Sequence, residues 1–142
     1  MQPLYAVVIL SDGDQRLLFE RRPPCAAHAA GRLTCFGGRI EAGETAGVAA
    51  RRELAEELGW RPASLRFAID FHRDGVFVAR FFQAVLPCAA SSIRTPLGNP
   101  ARAVAVPLGR LEQAPLSRWH RAVLVAWRGG KARCVLNPGC QG

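Results

Sequence analysis

Residues 45–58 restrict the fold of this chain more than any other segment. They are rich in Ala, Leu, Glu and Arg and contain no proline, a composition typical of an α-helix. Thr45 is suited to cap the N-terminus, and Gly59 stands where a residue in the left-handed conformation would end the helix. Leu54 and Leu58 are one turn apart on one side, which is therefore expected to pack against a core.

The other side of this predicted helix carries Glu53, Glu56 and Glu57, within an arc of about 100°. Like charges this close repel one another, and Arg52 alone cannot neutralise three carboxylates. A hard divalent cation can, because Mg²⁺ prefers oxygen ligands and shares its coordination shell with substrate phosphates. Such a string of glutamates, taken alone, more often forms a solvated helix face. The flanking residues therefore decide between a solvated face and a metal site.

Those flanking residues complete a fixed spacing, G-x5-E-x7-R-E-U-x-E-E-x-G-U, where U is bulky and apolar. Its seven identities are filled by Gly38, Glu44, Arg52, Glu53, Glu56, Glu57 and Gly59. With residue frequencies near 6–7%, chance produces such a match at a given start less than about once in ten million. The stretch resembles the Nudix hydrolases at every fixed position, although Trp60 stands where an aliphatic residue is more usual. This match favours the metal site.

The resemblance implies an α/β fold, the Nudix α/β/α sandwich with a mixed β-sheet between helices, formed as a single domain over residues 1–142. The order of elements predicted from the sequence pattern agrees with it. Strands are predicted at 5–10, 16–20, 33–35, 65–71, 76–86 and 103–106, and helices at 45–58 and 116–127.

The resemblance also implies site residues. In the family this helix binds Mg²⁺, or alternatively Mn²⁺, ions that bridge a diphosphate while water attacks phosphorus. Glu56 and Glu57 are then the leading metal ligands, and Glu53 is a further ligand or the base that activates water. Family members differ in which glutamate is the base, so the candidate catalytic residues are Glu53, Glu56 and Arg52, which is expected to hold a carboxylate in place. A main-chain carbonyl at Gly37 is a further candidate metal ligand. The structural residues of the motif are Gly38, Glu44 and Gly59.

Candidate substrate contacts lie on both sides of the motif. Arg21-Arg22 followed by His28 resembles the upstream sequence of MutT-like nucleoside triphosphate hydrolases, so Arg22 and His28 are candidates for contact with phosphate or base. Phe36 and Phe77 are candidates for contact with the base. The alternatives remain open: a surface charge for Arg22, a loop residue for His28 and core packing for the aromatic rings. His72 and His120 are expected at the surface, without a function.

Two departures from the family pattern are visible. Many relatives have proline directly before the double glycine, where this chain has Cys35-Phe36. Many also carry another metal-binding glutamate before the last strand, whereas residues 95–102 offer Asn99 and no acid. A smaller metal shell, or one completed by water, is the expected consequence.

The charge distribution supports an anionic substrate. The chain has 19 basic and 11 acidic residues, a net charge of +8, yet five of the acids fall within residues 41–57. A positive field around an acidic metal site helps to attract a phosphorylated molecule. The arginines are spread along the chain and form no basic stripe, which weighs against a nucleic-acid partner.

Cysteines and hydropathy suggest the setting. Five cysteines without metal-type spacing predict free thiols in a reducing cytoplasm. No run of 18 apolar residues is present, so no membrane span is expected. The oligomeric state is left open, a homodimer included.

The predicted function is Mg²⁺-dependent hydrolysis of a nucleoside diphosphate linked to another group, favoured as a nucleoside triphosphate giving a monophosphate and pyrophosphate. An ADP-sugar or dinucleoside polyphosphate pyrophosphatase is an alternative, although neither is favoured: Gly75 stands where ADP-ribose hydrolases often have proline, and Phe77 where dinucleoside polyphosphate hydrolases often have tyrosine. A non-catalytic nucleotide-binding or RNA-binding module is another, although such proteins commonly lose the glutamates kept here. An isomerase on the same fold needs a cysteine, for which Cys35 is the candidate.

Overall fold

The computed structural model describes residues 1–95 and 102–137. Within them lies one mixed sheet of eight strands with two α-helices packed against it. The strands are β1 Tyr5–Ser11, β2 Arg16–Arg21, β3 Leu33–Thr34, β4 Phe36–Arg39, β5 Arg66–Arg73, β6 Val76–Val85, β7 Arg102–Pro107 and β8 Arg133–Leu136. The helices are α1 Ala46–Leu58 and α2 Arg118–Arg128, with 3-10 helices at Ala90–Ser92 and Leu108–Gln113. No helix of this described part is long and apolar enough to cross a membrane.

Strand β1 lies at the centre of the sheet. It pairs in parallel with β6 on one edge, and antiparallel with β4 and β2 on the other. The first half of β1 pairs with β4, so that Val7 lies opposite Gly37, and its end pairs with β2, so that Leu10 lies opposite Leu18. Strand β2 continues the sheet to β7. This split places the paired glycines of β4 next to the centre of the sheet.

Both faces of β1 are buried, which separates the core into two parts. Ala6, Val8 and Leu10 belong to the cluster that also contains the apolar side of α1. Val7 and Ile9, which alternate with them, belong to the cluster on the α2 side. Because successive residues of a strand point to opposite faces, the sheet lies between the two helices. The expected α/β/α sandwich is confirmed.

The caps of α1 are those that the sequence predicts. Thr45 Oγ1 accepts a hydrogen bond of 3.2 Å from the Val48 N–H. Gly59 has φ of 67° and donates its N–H to the Ala55 carbonyl at 3.0 Å. The helix therefore begins and ends within a residue of the predicted bounds.

Two strands were not predicted. Strand β4 runs through the paired glycines, and β8 follows α2. Helix α2 begins at Arg118 rather than at residue 116, because Leu116 still pairs with Leu33 and Ser117 is the N-cap. Residues 96–101, which include Asn99 and most of the segment expected to lack a metal-binding acid, lie outside the described residues.

The turn between β1 and β2 is held by a buried carboxylate. Asp12 accepts backbone hydrogen bonds from Ala90 at 2.6 Å, Asp14 at 2.9 Å and Arg16 at 3.0 Å. The Ala90 bond comes from a segment 78 residues away, so Asp12 ties the 3-10 helix to the sheet. These bonds, the Ala90 bond foremost, lower the pKa of Asp12 to about 2.

We expect Asp12→Ala to lower the free energy of unfolding by about 2–4 kcal/mol, since it leaves a buried N–H without an acceptor. The folded pKa of Asp12 lies below its unfolded value of about 4. Its stabilisation is therefore complete above that value and is lost as the pH falls towards 2. Urea unfolding of both proteins at about pH 7 and pH 3 checks this. A difference that does not shrink at the lower pH would contradict the charge-based explanation.

Candidate active site

Glu57, near the C-terminus of α1, faces strand β4. Its Oε1 accepts a hydrogen bond of 3.1 Å from the Gly37 N–H. Its carboxyl group also shares a hydrogen bond with that of Glu20, and the charge of Glu53 acts on it. Burial first, and then these two neighbouring carboxylates, raise the pKa of Glu57 well above its usual range. The α1 glutamates therefore include one that is half-buried beside another acid.

Glu20 is a member of this group that the sequence analysis missed. It is only 8% exposed and stands near the end of a strand whose other buried residues are apolar. Leu18 packs on the α1 side of the sheet, and Glu20, two residues later, points to the same side. Arg22 Nη1 lies 3.4 Å from Glu20 Oε1. The available sequence signal was a glutamate two residues after the buried Leu18 and therefore on the same side of β2. Its neighbour Glu57 can be identified only from the fold.

Arg52 joins the remaining acids of the motif. Its Nε and Nη2 donate to the two oxygens of Glu44 at 2.7 and 2.9 Å, and its Nη1 donates to Glu53 at 2.9 Å. A further hydrogen bond of 3.0 Å reaches the Arg39 carbonyl. The Arg52 bonds, helped by the Glu41 N–H, lower the pKa of Glu44 to about 2. Arg52 thus fixes the entry to α1 and the position of Glu53 at once.

We expect Arg52→Gln to lower the free energy of unfolding by about 2–4 kcal/mol, because two poorly exposed carboxylates lose their cation. Arg51→Gln is the matched control, since Arg51 makes one bond of 3.3 Å to the Pro62 carbonyl. Its loss should stay below about 1 kcal/mol. Urea unfolding of Arg52→Gln, Arg51→Gln, Glu44→Gln and the double variant Glu44→Gln/Arg52→Gln measures these losses of stability and the coupling between Glu44 and Arg52. Additive effects of the two changes at Glu44 and Arg52 would contradict the coupling.

The structure separates the three α1 glutamates. Glu53 lies against Gly38, where an added Cβ would stand 2.8 Å from Glu53 Oε2. Glu57 faces Gly37, whereas the Glu56 side chain is 60% exposed and touches Arg52 at 3.5 Å. Glu53 and Glu57 are four residues apart and so share a face, from which Glu56 is rotated.

A divalent cation, implied by the family resemblance, fits the chemistry of this group. Glu20, Glu53 and Glu57 offer carboxylate oxygens, the ligands that Mg²⁺ prefers. The carboxyl groups of Glu20 and Glu57 share a hydrogen bond, and they repel each other when both are ionised. In residues 1–95 and 102–137, however, no three acidic, histidine or cysteine side chains are already arranged to hold a cation. The residues therefore suit a cation through the chemistry of their oxygen atoms, and their side chains must move to bind one.

The candidate substrate residues lie in different places. Arg22 is half-buried beside Glu20, and His28 is exposed in the loop before β3. Phe36 has no exposed surface and packs in the α1-side core, so its ring is a core residue and not a substrate-facing one. Phe77 is buried on β6, where its ring stacks on His72 at 4.6 Å. Of the four, only Arg22 is brought next to the acidic group.

Cys35 is the cysteine that the isomerase alternative would use. It is buried in the α2-side core, and burial raises the pKa of its thiol far above the usual range. A thiol that is slow to ionise is a poor acid–base or nucleophilic group, which argues against the isomerase alternative.

Comparison with known proteins agrees with the fold and the motif. The family model described as NUDIX domain matches residues 1–127. A search of curated protein sequences finds no match. Among solved structures, a MutT protein from Methanosarcina mazei Go1 superposes with a TM-score of 0.72 at 17% identity, over 91% of this chain and 96% of that one.

Two further structures are similar. The NUDIX domain of Shewanella oneidensis NrtR, complexed with ADP ribose, gives a TM-score of 0.71 at 17% identity, over 92% of this chain and 88% of that one. A structure from an analysis of MutT from Aliivibrio salmonicida and Vibrio cholerae gives 0.66 at 19% identity, over 88% and 94%. At these identities the likeness concerns the fold, while the match of the family model covers most of the sequence. The chain belongs to the Nudix family.

Proposed function

We propose that this protein is a pyrophosphohydrolase that depends on a divalent cation, Mg²⁺ or alternatively Mn²⁺, and cleaves a nucleoside triphosphate into a monophosphate and pyrophosphate. The observation that carries the proposal is the acidic group formed by the buried Glu20 and the half-buried Glu53 and Glu57 against the paired glycines of β4. Carboxylates held close together and poorly solvated are costly unless a function requires them. A cytoplasmic setting and a small-molecule nucleotide partner belong to the same proposal.

The cation has a defined role in this scheme. Glu57 would hold the cation, with Glu56 and Glu20 as further candidates, and a bound cation would supply charge neutralisation for the diphosphate and acidify water. The main chain at Gly37 supports the site, since its N–H orients one carboxylate oxygen of Glu57. The positive field of a chain with net charge +8 favours entry of the polyanionic substrate.

Glu53 is better placed than Glu56 to accept the proton from the attacking water. Its carboxylate is 17% exposed and is held by Arg52, whereas that of Glu56 is 60% exposed. A base that is already oriented loses less entropy when the transition state forms. We therefore assign the general base to Glu53 and the orientation of that base to Arg52. Arg22, beside Glu20, is assigned to the substrate phosphates.

An ADP-sugar is the second candidate substrate, because a NUDIX domain of the same fold has been solved with ADP ribose. Both substrates contain a nucleoside diphosphate, so the same acidic group serves either one. They differ in the group beyond the diphosphate.

A substrate panel tests the proposal. The purified full chain is incubated with each of the four common nucleoside triphosphates, ADP-ribose and a diadenosine polyphosphate, with Mg²⁺, with Mn²⁺ and with a chelator. Monophosphate and pyrophosphate released from a triphosphate, and abolished by the chelator, are the expected result. Products from ADP-ribose alone would replace the substrate while keeping the reaction. Tight nucleotide binding without any product, from protein whose circular dichroism shows it folded, would favour a non-catalytic module instead.

A further inference from the structure

One side of α2 is cationic. Arg118, Arg121, Val125 and Arg128 lie within an arc of about 80° if each residue turns the helix by about 100°. Arg118 and Arg128 are exposed, and Val125 is 67% exposed. In the sequence apolar residues separate these arginines, and only the helix brings them to one side. No aspartate or glutamate occurs in α2, so the charge is not balanced within the helix.

The opposite side of α2 packs on the sheet. Val123 and Leu124 belong to the α2-side core. His120 is half-buried, as is His72, although both were expected at the surface. The His120 ring lies edge-on to the ring of the buried Phe81, with centroids 5.7 Å apart. This packing fixes the rotation of the helix and keeps its cationic side turned outwards.

A groove of about 360 Å³ lies between the cationic side of α2 and the 3-10 helix Leu108–Gln113. Its floor is formed by Leu111, Leu116 and Leu124, each at most 5% exposed and all part of the α2-side core. The exposed Val125 lies on the α2 wall. The groove therefore offers a recessed apolar contact for a side chain from another molecule.

The two arginines beside the groove are held by main-chain oxygens. Arg121 donates from Nη1 to the Glu112 carbonyl at 3.0 Å and from Nη2 to the Ala114 carbonyl. Arg128 Nη1 donates to the Leu108 carbonyl at 3.2 Å. Neither arginine forms an ion pair with a described residue. A neutral carbonyl orients a guanidinium group without cancelling its charge, so both groups keep their full charge at the groove.

We propose that this groove binds an acidic segment of a partner protein. One apolar side chain of the segment packs on the leucine floor and against Val125, and its carboxylates pair with Arg121 and Arg128. Charge complementarity identifies this partner, because oriented arginines suit paired contacts with carboxylates at an interface.

Two other anionic partners suit the groove less well. A nucleic acid carries no aliphatic side chain, and none of the described residues that line the groove is aromatic and able to stack on a base. A lipid surface is bound by apolar side chains that protrude, whereas the leucines of this groove are recessed between arginines.

The groove is separate from the acidic group of the proposed hydrolase. It lies on the α2 side of the sheet, whereas Glu57 belongs to α1 on the other side. Binding at the groove therefore does not depend on the proposed function and is measured without nucleotide or cation. Glu112, exposed on the 3-10 helix wall, is the acid of this lining and weakens the attraction of an acidic segment.

The test uses short fluorescein-labelled peptides in which glutamates and aspartates flank a central leucine, phenylalanine or methionine. A fourth peptide has serine at the centre, and a fifth has glutamine and asparagine in place of the acids. Fluorescence anisotropy with the full-length protein and a chelator gives each Kd. We expect at least one of the first three peptides to bind, the serine peptide to bind about fivefold more weakly and the amide peptide not to bind.

Variants locate the binding. Arg128→Gln should raise the Kd of the best peptide about fivefold and Val125→Ser about threefold, whereas Glu112→Gln should lower it about twofold. Arg94→Gln is the matched control, because Arg94 is likewise exposed and donates only to the Ser91 and Ile93 carbonyls, at 2.8 and 3.0 Å. It removes the same charge and should leave the Kd within a factor of about 1.5.

Several results would overturn the proposal. These are no binding of any peptide with an apolar centre, equal binding of the serine peptide, or equal losses in Arg128→Gln and Arg94→Gln. Tighter binding of labelled oligothymidine or of phosphatidylserine vesicles would assign the surface to nucleic acid or lipid instead. Light scattering that shows self-association of the wild type, abolished in Arg128→Gln, would place a second copy of the chain in the groove.

Discussion

Glu57→Gln is expected to lower kcat of the proposed hydrolysis by about a thousandfold, within the range found for groups that act on the transition state. The amide has nearly the shape of the carboxylate, and its oxygen can still accept the Gly37 N–H, which lies 3.1 Å from Glu57 Oε1 in the wild type. It cannot carry the negative charge that a cation requires. The variant should therefore fold and bind little cation. Steady-state rates with the best nucleotide of the substrate panel, over a range of Mg²⁺ concentrations, measure the effect.

Glu41→Gln is the control for this change, because the Glu41 carboxylate is 68% exposed and makes only a long contact of 3.7 Å with Arg52 Nη1. It should leave kcat within a factor of about two. A Glu57→Gln variant as active as the wild type would remove Glu57 from the site and leave the acidic group without its central member.

Stability supplies a second readout that does not depend on activity. Because the folded pKa of Glu57 is raised, the folded protein binds more protons than the unfolded chain between the two pKa values. Wild-type stability therefore falls as pH rises through that interval, in the absence of cation. Glu57→Gln removes this penalty, so the variant should gain stability relative to the wild type between about pH 5 and about pH 8. Urea unfolding in the presence of a chelator measures the difference.

The parts of this protein that sequence predicted best are those governed by local interactions. Helix α1 needs only its composition, a Thr45 cap and the left-handed Gly59, and all of these act within a few residues. Strands β5 and β6 were similarly predicted, at 65–71 and 76–86, and Asp74 and Gly75 between them have the positive φ that a tight hairpin turn requires. The family motif assigns the candidate site to the same helix.

The prediction was weakest where residues distant in sequence meet. Strand β4 contains two glycines, which have low strand propensity, and forms because its backbone pairs with β1. Glu20 joins the acidic group through the position of β2 beside α1, which no local pattern encodes. The arc of three glutamates was correct as helix geometry, yet only the side of Glu53 and Glu57 faces β4. Helix periodicity therefore predicts which helix carries the candidate site but does not divide the roles of its acids.

Gly37→Ala is expected to cost about 3–5 kcal/mol of folding free energy, a large part of the stability of a small domain. Gly37 has φ of +150°, a backbone conformation that residues with a side chain rarely adopt. An added Cβ would also overlap the Ala6 carbonyl oxygen and stand 2.7 Å from Val7 Cα. Both are backbone atoms of the central strand, so relief requires β1 and β4 to separate. Thermal and urea unfolding measure the loss, and a variant of wild-type stability would contradict this geometry.

Gly38→Ala separates catalysis from folding at the next residue. Here the added Cβ meets the carboxylate of Glu53, with Oε2 at 2.8 Å, which is the mobile end of a side chain and not backbone. The carboxylate can move aside, so stability should fall by less than about 1 kcal/mol. The displaced base should lower kcat by about 10–100-fold, since small misplacements of a reacting group are costly. If the rate of Gly38→Ala equals that of the wild type, the base cannot be a precisely positioned Glu53, and the solvent-exposed Glu56 becomes the better assignment.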